Sequence, residues 1–410
     1  MQRTTRALLA AVFLAALPAV RPAAAATGTC EPDGVQASGA IYRICMPATW
    51  NGDLVVFAHG YVGFNEPVAI PEDQLVLPDG TSVPGIINAL GFAFATTSYS
   101  TNGLAVVQGI DDVVDLVHIF ATTHAAARRV YLVGPSEGGT VTALAVEKHP
   151  DVFAGGLAAC GPIGDFRQQL NYDGDFRVVF DYFFPGVVPP SPVDVPADVI
   201  NGFFDTYVPA IQAAIQKDPN GVRQLLKVAR APIDPADPST VEKTILGIFW
   251  YVVFGTNDAG QKLGGQPFGN RLRFYMGSDN DSLLNMNVER FTPDLTALGT
   301  IQKDYQTSGR LSSPLVTIHT TGDPIIPYWH EPMYTLKTFF NGSAMRHINI
   351  PIARYGHCNF KAPEVLVGFA VLIFMVNHQS LTGVEAALPD AASRDEFRSL
   401  ARQYGAAPVL

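Results

Sequence analysis

The sequence predicts an α/β protein: a mostly parallel central sheet with helices on both faces, plus a mainly helical insertion. Three observations point there. Short continuous apolar runs alternate with helix-period stretches through the first 160 residues, the rhythm of strands buried on both faces and joined by crossover helices. That rhythm breaks after Cys160, where Pro, Gly and aromatic residues accumulate. It resumes at Leu315 and continues toward the C-terminus.

The elements follow in order. Arg3 and Arg6, an apolar run from Ala7 to Val20 and the small residues Ala23 to Ala26 form a secretory signal pattern, cleaved near Ala26. The apolar run is short for a membrane span and no stop-transfer pattern follows. Cys30 lacks the upstream Leu of a lipoprotein site, and the arginines are not adjacent, so neither lipid anchoring nor twin-arginine export is indicated. Leu54 to Ala58 (LVVFA) and Phe92 to Thr97 read as buried strands. Val106 to Phe120 has helical spacing, with Val106, Ile110, Val113, Val114, Val117 and Phe120 on one side. Val130 to Val133 is a short strand, Thr140 to His149 a helix stopped by Pro150, and Phe153 to Cys160 strand-like.

In the insertion, Ile200, Phe203, Phe204, Tyr207, Ile211 and Ile215 fall at helical spacing, with Pro209 expected to kink or divide the helix. Leu315 to His319 restarts the sheet. A helix at His330 to Phe340, a strand at His347 to Ile352 and a helix at Glu364 to Val376 complete it. The expected organisation is an export segment at 1–26, an α/β core at 27–160 and 311–410, and a lid at 161–310. No other stretch reads as transmembrane; Ile248 to Phe254 is apolar but too short.

The chain has 410 residues, 48% of them apolar and 16% charged, enough for a packed core and unlike a disordered chain. A net charge of −10 disfavours nucleic acid or an anionic membrane as partner, since phosphate neutralisation is lacking. Four cysteines follow the export segment: Cys30, Cys45, Cys160 and Cys358. An even count in an oxidising compartment suggests two disulfides, with three possible pairings. Cys30 with Cys45 is the natural local pair and would contribute about 3 kcal/mol by loop closure. Cys160 and Cys358 remain for the second. No two cysteines have zinc-ligand spacing, and no metal or cofactor is expected. The acidic pairs Asp173/Asp175 and Asp279/Asp281 lack the terminal Glu of a calcium loop and read as solvated turns.

The sharpest motif is Gly134-Pro135-Ser136-Glu137-Gly138-Gly139. Gly-x-Ser-x-Gly alone is weak, but here the strand VYLV runs into it and a helix opens just beyond. That strand–turn–helix setting is the one a nucleophile elbow requires, with the serine hydroxyl raised over the sheet edge. Small residues two before and two after let neighbouring backbone approach. The helix N-terminus adds positive partial charge where an oxyanion would form. A serine hydroxyl needs a base. In the chain order Ser, acid, His, Asp323 follows the strand PLVTIH, and His357 stands in Arg354-Tyr355-Gly356-His357-Cys358, after a strand and before a helix.

The segments 53–160 and 314–378 therefore resemble the α/β-hydrolase superfamily, whose acid stands in a G-D-x-x-x-P loop and whose base follows in a G-H loop. The resemblance implies Ser136 as nucleophile, His357 as base and Asp323 as acid. It also implies that the His59-Gly60-Tyr61 turn and the elbow supply main-chain N–H groups of Tyr61 and Glu137 to an oxyanion hole. Asp165, after the Cys160 strand, is the alternative acid. His59, His118, His149, His319 and His330 lack the required order or strand-end position and are expected to pack or be solvated. A Cys160–Cys358 bridge would tie the histidine loop to the sheet. Tannase-like enzymes are similar in holding a disulfide beside their triad, but Pro135 precedes Ser136 here, so that label does not carry over.

An insertion after the sixth core strand is that superfamily's usual lid. Its aromatics (Phe180, Tyr182, Phe183, Phe184, Phe249, Trp250, Tyr251) suit an apolar or aromatic substrate, although most are expected to form the lid's own core. The expected function is a secreted carboxylic-ester hydrolase acting on a small-molecule or polymer ester. A secreted exopeptidase with the same residues, and an inactive binding protein of this fold, are the alternatives.

Overall fold

The computed structural model describes residues 28–189 and 192–404. The export segment expected at 1–26 lies outside them. The strands are β1 (Thr29–Cys30), β2 (Gly34–Val35), β3 (Ile41–Met46), β4 (Asp53–Phe57), β5 (Ala93–Thr97), β6 (Arg129–Pro135), β7 (Gly155–Ala159), β8 (Leu315–Gly322) and β9 (His347–Tyr355). They form one sheet in the order β1-β3-β5-β4-β6-β7-β8-β9, with β2 also paired to β3. β3 runs antiparallel to β1, β2 and β5. Every other pair is parallel. All five residues of β4 are buried, as are all five of β5 and of β7, which is why these strands read as unbroken apolar runs.

Between β4 and β9 the helices are α1 (Val83–Ala89), α2 (Val106–Thr123), α3 (Glu137–Lys148), α4 (Phe166–Phe183), α5 (Ala197–Asn201), α6 (Val208–Lys217), α7 (Pro219–Ala229), α8 (Ser239–Leu263), α9 (Asp281–Asn287), α10 (Leu295–Thr300) and α11 (His330–Phe340). After β9 come α12 (Ala362–Asn377), α13 (Val384–Ala387) and α14 (Ala391–Gln403). The side chains of each strand alternate between two apolar layers. Val55 and Phe57 of β4, Tyr131 of β6 and Leu157 of β7 face α1, α12 and α14. Leu54, Val56, Leu132 and Ala158 face α2 and α3. Burying each large apolar side chain contributes roughly 1.5–3 kcal/mol relative to exposure. Sheet order and the two helical layers are those of the α/β-hydrolase fold.

Helices α4 to α10 leave the sheet between β7 and β8; Ala297 of α10 joins the α2–α3 layer, while α4 to α9 share an apolar core of their own. Phe180 and Phe249 meet edge-to-face there at 4.6 Å. Pro209 does divide its helical stretch: α5 ends at Asn201, a π-turn spans Phe203–Tyr207, and α6 begins at Val208. Pro209 then sits in the first turn of α6, where its missing N–H removes no helical bond. Among the described residues no helix is long and apolar enough to cross a membrane.

Candidate active site

The strand β6 ends at Pro135 and α3 begins at Glu137, so Ser136 turns the chain in a single residue, at φ 56° and ψ −125°. That conformation costs a non-glycine residue of order 1–3 kcal/mol and is held from both sides. The Ser136 N–H donates to Ala159 O at 2.8 Å. Around it the backbone is crowded. A Cβ on Gly134 would lie 2.3 Å from Gly138 O, and one on Gly138 would lie 2.0 Å from Ala58 O. Only glycine fits either position, which gives the motif its physical basis.

Three loops at the C-terminal edge of the sheet bring Ser136, His357 and Asp323 together. His357 Nε2 lies 2.8 Å from Ser136 Oγ. Its Nδ1 lies 2.7 Å from Asp323 Oδ2. Asp323 is fully buried, and its Oδ1 accepts from the Ile325 and Ile326 N–H groups at 2.9 and 3.0 Å. Burial opposes its charge, but His357 and His319 outweigh that and hold the carboxyl well below the usual carboxylate range.

Behind Asp323 stands His319 of β8, also fully buried. Its Nε2 is 2.8 Å from Ile326 O and 3.6 Å from Asp323, and its Nδ1 is 3.0 Å from Glu331 Oε1. Both ring nitrogens face acceptors, so both carry protons when Glu331 is ionised. Burial disfavours that cation; Asp323 and Glu331 overcome it and raise His319 to about 10. Glu331 is fixed in turn by Thr317 Oγ1 at 2.6 Å and Asn349 Nδ2 at 2.7 Å.

The remaining histidines have other work. His59 is buried and stacks on Tyr99 at 3.9 Å. His330 accepts from the Gly164 N–H at 3.0 Å. Asp165 caps α4, accepting from Gln168 N at 3.0 Å, and the structure does not bring it to His357. Both disulfides form: Cys30–Cys45, between directly paired residues of β1 and β3, and Cys160–Cys358. Cys358 Sγ lies 3.6 Å from His357 Nε2. The one close cluster of metal-ligand residue types among the described residues is Cys160, His357 and Cys358, and its sulfurs are taken by that disulfide.

In the His59-Gly60-Tyr61 turn the Gly60 N–H is taken by Gln74 Oε1 at 2.6 Å. Tyr61 lines the cavities on both sides of Ser136, and its hydroxyl donates to Phe254 O of the insertion at 2.9 Å. Glu137 opens α3, where the first-turn N–H groups have no helical acceptors. Its side chain is buried, with Oε1 accepting from Ala105 N at 2.8 Å and Oε2 unpartnered among the described residues. Burial raises it to about 8.

Three features were not expected from the sequence. Tyr251 of α8 reaches from the insertion to interact with the Ser136 side chain, and its ring meets His357 at 6.5 Å. Asp173 of α4 lines the same cavity as Ser136; burial raises it to about 8, against a hydrogen bond from Gln169. Asp173 and Asp175 are therefore helical and not solvated turns. Asp175 pairs with Arg273 and accepts from the Tyr275 hydroxyl. Finally, Ser136 lies between two cavities. One of about 120 Å³ is walled mainly by the insertion, and one of about 290 Å³ lies against the sheet.

Residues 88–174, which contain the elbow, match the model of the prolyl oligopeptidase family. No curated protein matches the chain. Among solved structures it is similar to the acylaminoacyl peptidase of Pyrococcus horikoshii, at 12% identity and a TM-score of 0.40, over 80% of this chain and 37% of that one. It is also similar to lipase A of Candida antarctica (12%, TM-score 0.44, 88% and 77% covered) and to feruloyl esterase B of Aspergillus oryzae (15%, TM-score 0.42, 84% and 79% covered). The chain spans about two fifths of the acylaminoacyl peptidases it matches. Sheet order, the strand–turn–helix elbow and the two helical layers together define the class by its fold: the chain has the α/β-hydrolase fold, and its elbow segment matches the prolyl oligopeptidase family model.

Proposed function

We propose that this protein is an exported carboxylic-ester hydrolase that works through an acyl-enzyme on Ser136. The observation that carries this reading is the pair of short contacts at His357, 2.8 Å to Ser136 Oγ and 2.7 Å to Asp323. Ser136 Oγ attacks the ester carbonyl as its proton passes to His357 Nε2. Asp323 accepts from Nδ1–H, fixes the tautomer and stabilises the imidazolium. The negative oxygen of the tetrahedral intermediate is held by the Tyr61 and Glu137 N–H groups. The Gly60–Gln74 bond supports that choice, because it removes Gly60 N–H from competition and leaves the next donor in the turn. His357 then protonates the departing alkoxide and activates the water that hydrolyses the acyl-enzyme. No step draws on a metal or cofactor. Export is supported by two disulfides, which belong to oxidising compartments, and by the signal pattern at 1–26.

A second reading, a secreted exopeptidase, draws on the carboxyls of buried Glu137 and half-buried Asp173 in the insertion-side cavity. A substrate ammonium group there would pair with them. A panel of p-nitrophenyl esters beside aminoacyl-p-nitroanilides, with Ser136→Ala as control, separates the two. Ester turnover abolished in the variant supports the first reading. Turnover confined to nitroanilides with a free amine overturns it.

A further inference from the structure

The cavity on the sheet side of Ser136 has a direction. Its mouth carries the polar groups: Ser136, His357, Gln74 and the Tyr61 and Tyr251 rings. Its floor is Phe57, Val133, Leu157 and Ile318, one residue from each of β4, β6, β7 and β8. Val133 lies mid-strand, paired through β6 to a neighbour on either side, yet it is only half-buried. The space above the sheet is open where a core side chain would normally close it.

Beyond this space lies a smaller one of about 30 Å³. The two share Phe57, Leu77, Val83, Val133, Leu157 and Val365 as walls, so they abut. The inner one ends against Ile86, Ile87, Leu366 and Phe369, and no polar residue lines it. A void with that lining stays dry and forfeits contact energy unless something apolar enters. Three residue steps along the chain take Ser136 to Val133, roughly 10 Å at strand rise, the length of an alkyl chain of about eight carbons.

We infer that this passage holds the acyl chain of the substrate, and that the preferred esters carry an unbranched aliphatic acyl group of medium length. The carbonyl sits at Ser136 and the tail runs along the α1–α12 face of the sheet. The inner chamber admits only a narrow chain end, which selects against aryl and branched acyl groups. This rests on the ester-hydrolase reading for its substrate class, but the passage can be tested without it.

The experiment has two arms, each run on wild type, Leu77→Trp and Val365→Phe. Leu77 is a half-buried loop residue and Val365 lies in the first turns of α12, so the two block the passage from different elements. The first arm compares kcat/KM for p-nitrophenyl acetate, octanoate and benzoate. The expected wild-type order places octanoate at least tenfold above the other two, with the octanoate-to-acetate ratio falling at least tenfold in both variants. The second arm compares Ser136 labelling rates for ethyl and octyl fluorophosphonates and expects the same shift. If no ester is turned over, the ester reading fails while the second arm still reads the passage. Benzoate preferred over octanoate, or an octyl-to-ethyl labelling ratio unmoved by both variants, overturns the inference.

Discussion

The two cavities that meet at Ser136 are built by different means. The sheet-side cavity is made of strand residues and the flanking α1 and α12, elements whose positions are fixed by parallel pairing and two buried layers. The insertion-side cavity is walled by α4, α8 and the 266–268 segment, which pack largely on their own core, and it carries the carboxyls of Glu137 and Asp173. Among the described residues, only Tyr61, Ser136 and Tyr251 line both. The difference teaches that the proposed chemistry and the second cavity wall have different structural origins, one in the sheet and one in the insertion. The contacts among Ser136, His357 and Asp323 lie at strand ends that the whole sheet holds in place, whereas the insertion supplies the other wall and reaches the site through Tyr251.

The comparison makes graded predictions. Ser136→Ala should reduce ester turnover by ~10⁶-fold and leave Tm within a few degrees, because the change is small at a position strained in either form. Asp323→Asn should cost about 10⁴-fold in kcat, since the amide no longer fixes the tautomer. Either loss limited to a few-fold would break the assignment of chemistry to the sheet edge. Tyr251→Phe removes one insertion-derived hydroxyl beside Ser136 and should lower kcat/KM about tenfold, the worth of one hydrogen bond. An effect as large as that of Asp323→Asn would place chemistry in the insertion as well.

The smallest effect concerns stability against pH. His319 is raised in the folded protein from 6.5 to about 10. Its stabilisation is therefore complete below about pH 6.5 and is lost as pH rises through about 10. Asp323 acts on the acid limb: its depressed value stabilises above its ordinary 3.8 and that stabilisation is lost as pH falls below it. Thermal melts should show Tm declining from pH 7 to 10. His319→Gln should melt lower at neutral pH with a flatter alkaline limb. A parallel alkaline decline in both proteins would remove His319 from the account.

Much of the sheet was legible because strands buried on both faces leave continuous apolar runs, as LVVFA does for β4. The short β1 to β3 were not. β3 carries a charge in IYRICM, and its place is set by antiparallel pairing with β5 far along the chain. The elbow was legible because crowding at Gly134 and Gly138 admits no side chain, so the constraint is written in the residues themselves. Helix α3 begins earlier than its apolar spacing suggests, at Glu137, because the elbow needs a helix at once. Tyr251 and Asp173 left no such mark. Each lies on a helix of the insertion, and only the packing of that helix decides which side chain faces Ser136. The cavity beside Val133 was invisible for a related reason: an apolar strand residue reads the same whether a core side chain or empty space lies over it.

The most direct measurement of whether Ser136, His357 and Asp323 act as one unit is a rate cycle. Fluorophosphonate labelling of Ser136, located by peptide mass, is followed in wild type, His357→Ala, Asp323→Ala and the double variant. Removing His357 should slow labelling at least a thousandfold, and removing Asp323 as well should slow it little further, because the acid works only through the base. Losses that multiply, or labelling that proceeds at the wild-type rate without His357, would contradict the account.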